Sequence, residues 1–289
     1  MMEILTQPLM YGFMQRGMLA SVMVGILCAV VGCYVVLRGM AYLGDAMSHA
    51  ILPGVAVAYI LKGEILIGAL IAAIVVALGI GFFTRRGTIK EDTAIGILFA
   101  ATLSLGVALI STIKTYALDL THILFGNVLG VSDTDLILIA VLGAVVLLTI
   151  VLLYKELLVV SFDPVLAATL RLPVERLKNV LLILIALAVV VSMQTVGVGL
   201  VAAMLVTPAA TAYLLTRRLP AMMVVSAALG ALASIIGLYL SFYLNIVSGA
   251  AVVLTATIFF FIAYLFAPQR GLIWNVLGRR NAVASAPAE

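Results

Sequence analysis

The sequence predicts an all-α, polytopic integral membrane protein that crosses the bilayer about eight or nine times. Three observations point there. Of 289 residues, 65% are hydrophobic and only 10% are charged, whereas a soluble domain carries about a quarter charged residues. Apolar runs recur along the whole length, each near the ~20 residues a helix needs to cross hydrocarbon. None of them alternates apolar with polar residues, as the strands of a transmembrane barrel would. No polar stretch is long enough for a separate soluble domain. Residues 1–270 are therefore expected to form one transmembrane domain, with 271–289 as a cytoplasmic tail.

The runs lie near 17–37, 42–61, 65–84, 92–113, 133–154, 176–194, 197–216, 220–241 and 248–266. The first holds Cys28 and Cys33. Five residues apart on a helix, they point about 140° from each other, which argues against a disulfide or a shared metal and for small buried side chains. The second run carries Asp45 and His49 and is interrupted by Gly44, Pro53 and Gly54. The fourth opens on Glu91 and Asp92, charges that favour a helix N-terminus; the alternative for them is a role in ion exit or in contact with a partner. Between the fourth and fifth runs, Leu124 to Val131 is apolar and glycine-rich but too short to span, which suits a re-entrant or interfacial segment. In the seventh run Thr207-Pro208-Ala209-Ala210 is expected to break the helix and to line a pore or pack closely. After the ninth, Trp274 suits the interface, and the tail from about 281 has nothing large to bury. The twelve methionines are scattered and read as apolar filler. The N-terminus lacks the pattern of a cleaved signal peptide.

Orientation follows from lysine and arginine, which concentrate on the cytoplasmic side. With nine spans, Arg85, Arg86 and Lys90, then Lys155, Arg171, Arg176 and Lys178, then Arg217 and Arg218, then Arg270, Arg279 and Arg280 all fall on one side. That side is cytoplasmic and holds the C-terminus. Arg16 falls on the opposite side and goes against the rule. The small net charge of +4 sits at the ends of apolar runs, a pattern of membrane orientation and not of nucleic-acid binding.

Asp45 and His49 are the most informative residues. An ionisable side chain at mid-helix costs about 2.5–3.5 kcal/mol on insertion scales, so the two must face protein or water. Their i, i+4 spacing places them on one helix face, about 40° apart and one turn along. Ser48 lies on the adjoining edge. Carboxylate oxygen and imidazole nitrogen aimed at one spot suit Mn²⁺, Fe²⁺ or Zn²⁺ better than Mg²⁺ or Ca²⁺. Pro53 leaves the carbonyl of His49 without its helical donor, and a broken helix at membrane depth is tolerated where it lines a cavity. The competing readings are a buried Asp–His pair that joins two helices and a proton relay. One helix supplies two ligating side chains, too few for most metal sites; a symmetric second copy would bring the donors to four, or to six with bidentate carboxylates.

Two further places stand out. Asp163-Pro164 follows the fifth run, with Asp a favourable helix cap and Pro a favourable first residue; Pro173 then ends a short helix over 164–171. It reads either as an ordinary loop helix or as a docking element. Asp119 and His122, three apart in an external stretch, read as a surface pair, with a role in metal entry as the alternative. His49 and His122 are the only histidines.

The run from Gly44 to Ala56, GDAMSHAILPGVA, resembles the signature of the permease subunits of bacterial manganese/zinc/iron ABC importers. Lys90–Ile97, Leu124–Val131, Ser161–Pro164 and Val206–Ala212 are similar to further motifs of that family, in the same order and over nearly the whole chain. The resemblance implies a type II-like ABC importer permease in the bacterial plasma membrane. It implies a homodimer served by two cytoplasmic ATP-binding subunits, with metal delivered by an extracytoplasmic binding protein. In such a family Asp45 and His49 match the residues that coordinate metal in the pathway. The segment near 161–173, with Phe162, Asp163, Pro164, Leu166, Ala168 and Arg171, matches the coupling helix that docks on the ATPase. Arg171 stands where the family usually has glycine. No Gly-rich loop followed by Lys and Ser or Thr is present, so ATP hydrolysis belongs to another chain, and this one needs no cofactor. The transported ion is expected to be Mn²⁺, with Zn²⁺ and Fe²⁺ as alternatives; a proton-coupled secondary metal transporter is the competing class.

Overall fold

The computed structural model describes residues 7–112, apart from 86 and 88, and 130–267. All regular structure among the described residues is helical. After a short 3₁₀ turn at Pro8–Met10 come α1 (Gly12–Leu37), α2 (Leu43–Ala50), α3 (Leu52–Ile60), α4 (Ile65–Thr84), α5 (Glu91–Ser111), α6 (Asp133–Leu152), α7 (Tyr154–Phe162), α8 (Pro164–Thr169), α9 (Val174–Val196), α10 (Val198–Leu215), α11 (Leu219–Leu244) and α12 (Ser248–Phe266). Eight segments are long and apolar enough to cross a membrane, with α2 and α3 together counting as one. The apolar stretch of α10, Val201–Leu215, is shorter.

Side-chain contacts show which helix ends lie together. Arg38, just past α1, is ion-paired to Glu91 at the start of α5, and Glu91 in turn to Lys178 near the start of α9. Leu37 shares a groove with Phe162, Thr216 and Arg218, so α7, the end of α10 and the start of α11 sit at that same end. At the opposite end Arg16 of α1 lies 3.5 Å from Asp133 of α6, and Tyr11 packs near Phe242 of α11. Since α9 starts and α10 finishes at one end, α10 must return across the bundle. Its 18 residues span about 27 Å, close to the thickness of a bilayer core, so among the described residues α10 is a shorter ninth crossing beside the eight longer ones. Arg16, the arginine that broke the charge rule, has its charge answered by Asp133.

The core is built on α1, which packs against α11, α10, α9 and α6. Small residues let α1 and α11 approach: a Cβ on Gly25 would come within 2.8 Å of the Gly230 carbonyl oxygen, and one on Gly230 within 2.5 Å of the Gly25 carbonyl oxygen. Serines bracket this contact. Ser226 and Ser234 of α11 donate to the carbonyls of Ala29 and Ser21, each at 2.9 Å. Such bonds contribute about 0.6 kcal/mol each in a membrane bundle.

Two sequence expectations meet different fates in the second and seventh runs. Near Pro53 the helix does part, at Ile51, where the missing N–H of proline leaves the ladder incomplete. At Pro208 it does not: α10 continues through the proline. There α1, α2, α11 and α12 pack around α10 and hold the helical path. The sharp reversal comes earlier, at Gly197 (φ +83°), the single residue between α9 and α10, a conformation that glycine adopts without steric cost.

Candidate metal centre

The segment from Leu43 to Ala50 is helical although it carries Asp, Ser and His, because its apolar residues Leu43, Met47 and Ala50 are fully buried against neighbours. It packs on α10, α5, α9 and α4. Asp45 and His49 lie on its other face, with side chains 52% and 27% exposed. His49 Nε2 is 3.6 Å from Asp45 Oδ1, beyond ordinary hydrogen-bond range. The two polar atoms thus lie side by side on one helix face, as the i, i+4 spacing requires, within ion-pair distance of each other and partly open to the outside.

Across from them stands α5. Asp45 lines a groove of about 280 Å³ with Tyr42 and Ala46 of the α2 segment and Asp92, Ile95, Gly96 and Phe99 of α5. The ring centroids of His49 and Phe99 are 5.8 Å apart. Most of α5 is exposed; its buried residues are Ala94, Ile95 and Gly106. Its open face carries Thr93, Gly96, Ala100 and Ser104, all exposed. Small and weakly polar residues spaced three and four apart are suited to close helix contact. The spacing was present in the sequence, but without a structure it could not be told from an ordinary lipid-facing helix.

Among the described residues no group of three or more His, Cys, Asp or Glu gathers tightly enough to hold a metal ion. Asp45 and His49 are two donors, and Asp92, in the same groove, is not within ligating reach of both. Ser48 is fully buried, and its hydroxyl donates to the carbonyl of Gly44 at 2.8 Å, so it serves its own helix. Asp119 and His122 lie outside the described residues, as do Arg86, Trp274 and most of 124–131.

The short helix after α7 starts as its sequence predicts and runs from Pro164 to Thr169, two residues short of the expected 164–171. The Asp163 carboxylate accepts from the N–H of Val165 and of Leu166, at 3.0 and 2.9 Å, with Pro164 as first residue. Ala167 is buried beside Val160 and Leu177. Ala168 is exposed, and Phe162, Val165, Leu166 and Leu170 leave between 48% and 74% of their surface free. The helix ends in a Schellman turn: Arg171 N–H donates to the Ala168 carbonyl and Leu172 N–H to that of Ala167. Arg171 therefore has φ +57°, the position at which glycine is favoured.

One cluster escaped the sequence. Glu91 does stand at a helix N-terminus, but it also binds Arg38 at 2.5 Å and Lys178 at 3.6 Å. Arg38 and Glu91 are 53 residues apart, and no local pattern joins them.

A family model described as the ABC 3 transport family matches residues 10–267. The chain is 47% identical over 283 residues to the "Manganese transport system membrane protein MntC" of Halalkalibacterium halodurans, covering 97% of this chain and 96% of that one. It is 42% identical over 270 residues to a Haemophilus influenzae protein named "Probable iron transport system membrane protein", covering 93% and 99%. Among solved structures, "PsaBC from Streptococcus pneumoniae in complex with Fab" superposes with a TM-score of 0.84 at 41% identity, covering 97% of this chain and 99% of that chain. The exposed Asp–His pair on a broken, multi-pass helical scaffold is thus found on a chain that belongs to the ABC 3 transport family, as a membrane-spanning permease of the divalent-metal ABC importers.

Proposed function

We propose that this permease carries Mn²⁺ inward through a site made by Asp45 and His49, in alternation between outward and inward access and at the expense of ATP hydrolysed by a separate subunit. The carrying observation is the placement of the pair: one carboxylate and one imidazole, 3.6 Å apart, the carboxylate lining a groove walled by α2 and α5 and the imidazole beside Phe99 of that groove. A relative named for manganese supports the choice of ion, as do carboxylates that supply many oxygen donors; the relative named for iron and the donor chemistry keep Fe²⁺ and Zn²⁺ as weaker substrates.

Two donors from one chain fit an assembly in which a second copy supplies two more. The small, exposed face of α5 beside the site is suited to meet that copy. The segment from Phe162 to Arg171 offers an apolar patch beyond the spans, where lipid tails do not reach. It fits a cytoplasmic ATP-binding subunit, with an extracytoplasmic metal-binding protein delivering the ion at the opposite end. The basic end is then cytoplasmic in a bacterial plasma membrane, one transmembrane domain fills residues 1–270, and 271–289 form the cytoplasmic tail.

Asp45→Asn and His49→Ala test the site. Each is expected to abolish growth that depends on this importer in manganese-limited medium, with the protein still present in the membrane. Normal growth of both variants would remove the site. Uptake that survives ATP depletion with the proton gradient intact would replace the ATP-driven reading by proton coupling.

A further inference from the structure

Beside the metal pair, the described residues hold one dense cluster of opposite charges, and it ties three helix ends together. Arg38 follows the last turn of α1, Glu91 opens α5, and Lys178 lies in the first turns of α9. Arg38 Nη2 donates to Glu91 Oε1 at 2.5 Å, and Lys178 Nζ lies 3.6 Å from the same oxygen. The Arg38 side chain is 6% exposed, and its Nη1 is buried without a hydrogen-bond partner. A guanidinium so placed depends on Glu91, because an unpaired buried charge is costly.

What this cluster holds is the wall of the groove. Glu91 leads directly into Asp92, Ile95, Gly96 and Phe99, which line the groove with Asp45, and Phe99 also lies beside His49. The body of α5 rests on α2, α3 and α4 with only Ala94, Ile95 and Gly106 buried, and the ion pairs at its first turn add a fixed point at its start. On the other side Arg38 precedes Tyr42 and α2 by a few residues, so one ion pair anchors the start of both walls. We infer that Glu91, clamped by Arg38 and Lys178, is a positioning residue for the cation site: it holds α5 at the distance from α2 at which the groove accepts the ion. This rests on the reading of Asp45 and His49 as metal ligands.

The test is Mn²⁺ affinity per intact chain, from the loss of the free-Mn²⁺ signal in electron paramagnetic resonance, with the full-length protein in lipid nanodiscs. Asp45→Asn serves as the reference for a lost site. Glu91→Gln is expected to weaken binding about tenfold, the size of coupling carried by contacts outside a binding site. Lys178→Gln, which removes the longer pair, is expected to weaken it less. Arg38→Gln combined with Glu91→Gln is expected to be no weaker than Glu91→Gln alone, because both act through one contact. Unchanged affinity in Glu91→Gln, or effects of Arg38→Gln and Glu91→Gln that simply add, overturns the clamp while leaving the site in place. Wild-type affinity in Asp45→Asn removes the site reading, and the clamp with it. Should Glu91→Gln fail to accumulate, Lys178→Gln decides, and an unchanged affinity there overturns the clamp.

Discussion

Arg171 occupies a conformation that an L-residue adopts at a cost of roughly 1–2 kcal/mol. Its φ of +57° is imposed by the turn that closes α8. Glycine would relieve the strain but has more conformational freedom to lose on folding, about 0.4–1 kcal/mol. Arg171→Gly is therefore expected to stabilise the isolated chain by about 0.5–1 kcal/mol, read as a rise in thermal midpoint, while Arg171→Ala gives none. A midpoint that falls with glycine would mean that the guanidinium makes a contact worth more than the strain. At the other end of the same helix, Asp163→Ala removes both cap bonds and is expected to cost about 1 kcal/mol locally. Hydrogen exchange at Val165 and Leu166 should speed up; unchanged protection there would show that burial of Ala167 alone holds the helix. The cap was legible in the sequence because Asp-Pro is a local signal with a fixed meaning. The turn residue was legible only as a departure, since nothing in the identity of an arginine announces a positive φ. Glu91 was half legible: its place at a helix start is local, and its partner Arg38 is not.

At the scale of elements, the apolar runs reported the helices closely because hydrocarbon admits few alternatives: every backbone group must be satisfied within its own segment. The runs predicted at 65–84 and 248–266 coincide with α4 and α12. Prolines were less transparent. Pro53 parts its helix and Pro208 does not, a difference set by the neighbours of α10 and invisible in either motif. Close crossings were equally hidden. Between α3 and α4, a Cβ on Gly54 would collide with the carbonyl oxygen of Gly68, and a Cβ on Gly68 with that of Gly54. Gly54 follows Pro53, so this crossing seats the second half of the broken helix just beyond Asp45 and His49. Gly54→Ala is expected to destabilise the chain by about 1–3 kcal/mol, as overpacking does, and to lower Mn²⁺ uptake. Gly63→Ala is the matched control, because a Cβ there meets its nearest atom at an ordinary 3.8 Å. Equal behaviour of the two variants in thermal unfolding would mean that α3 and α4 yield without cost.

For the whole molecule, the position of the site outside the densest core is the informative fact. The fully buried side chains gather around α1, α9 and α10, whereas Asp45 is half exposed at the edge of the bundle, opposite a helix that is itself largely bare. A lone chain would pass an ion along its own outer surface, where the bilayer resists charge. A second copy placed against α2 and α5 would enclose that surface. On the proposed reading the donor count asks for the same arrangement: Asp45 and His49 would supply two ligating residues, and a transition-metal site takes four to six donor atoms. Metal analysis of the purified assembly is accordingly expected to give about one Mn²⁺ for every two chains, falling to none with Asp45→Asn. One ion per chain would mean that each chain completes its own site, and it would turn attention to Asp119 and His122. Mixed assemblies separate the two cases further. If the ion is shared, a single Asp45→Asn chain damages the site of its wild-type partner, so co-expressing the variant with the wild type lowers uptake below the fraction of wild-type chains present. If sites are separate, uptake follows that fraction in direct proportion.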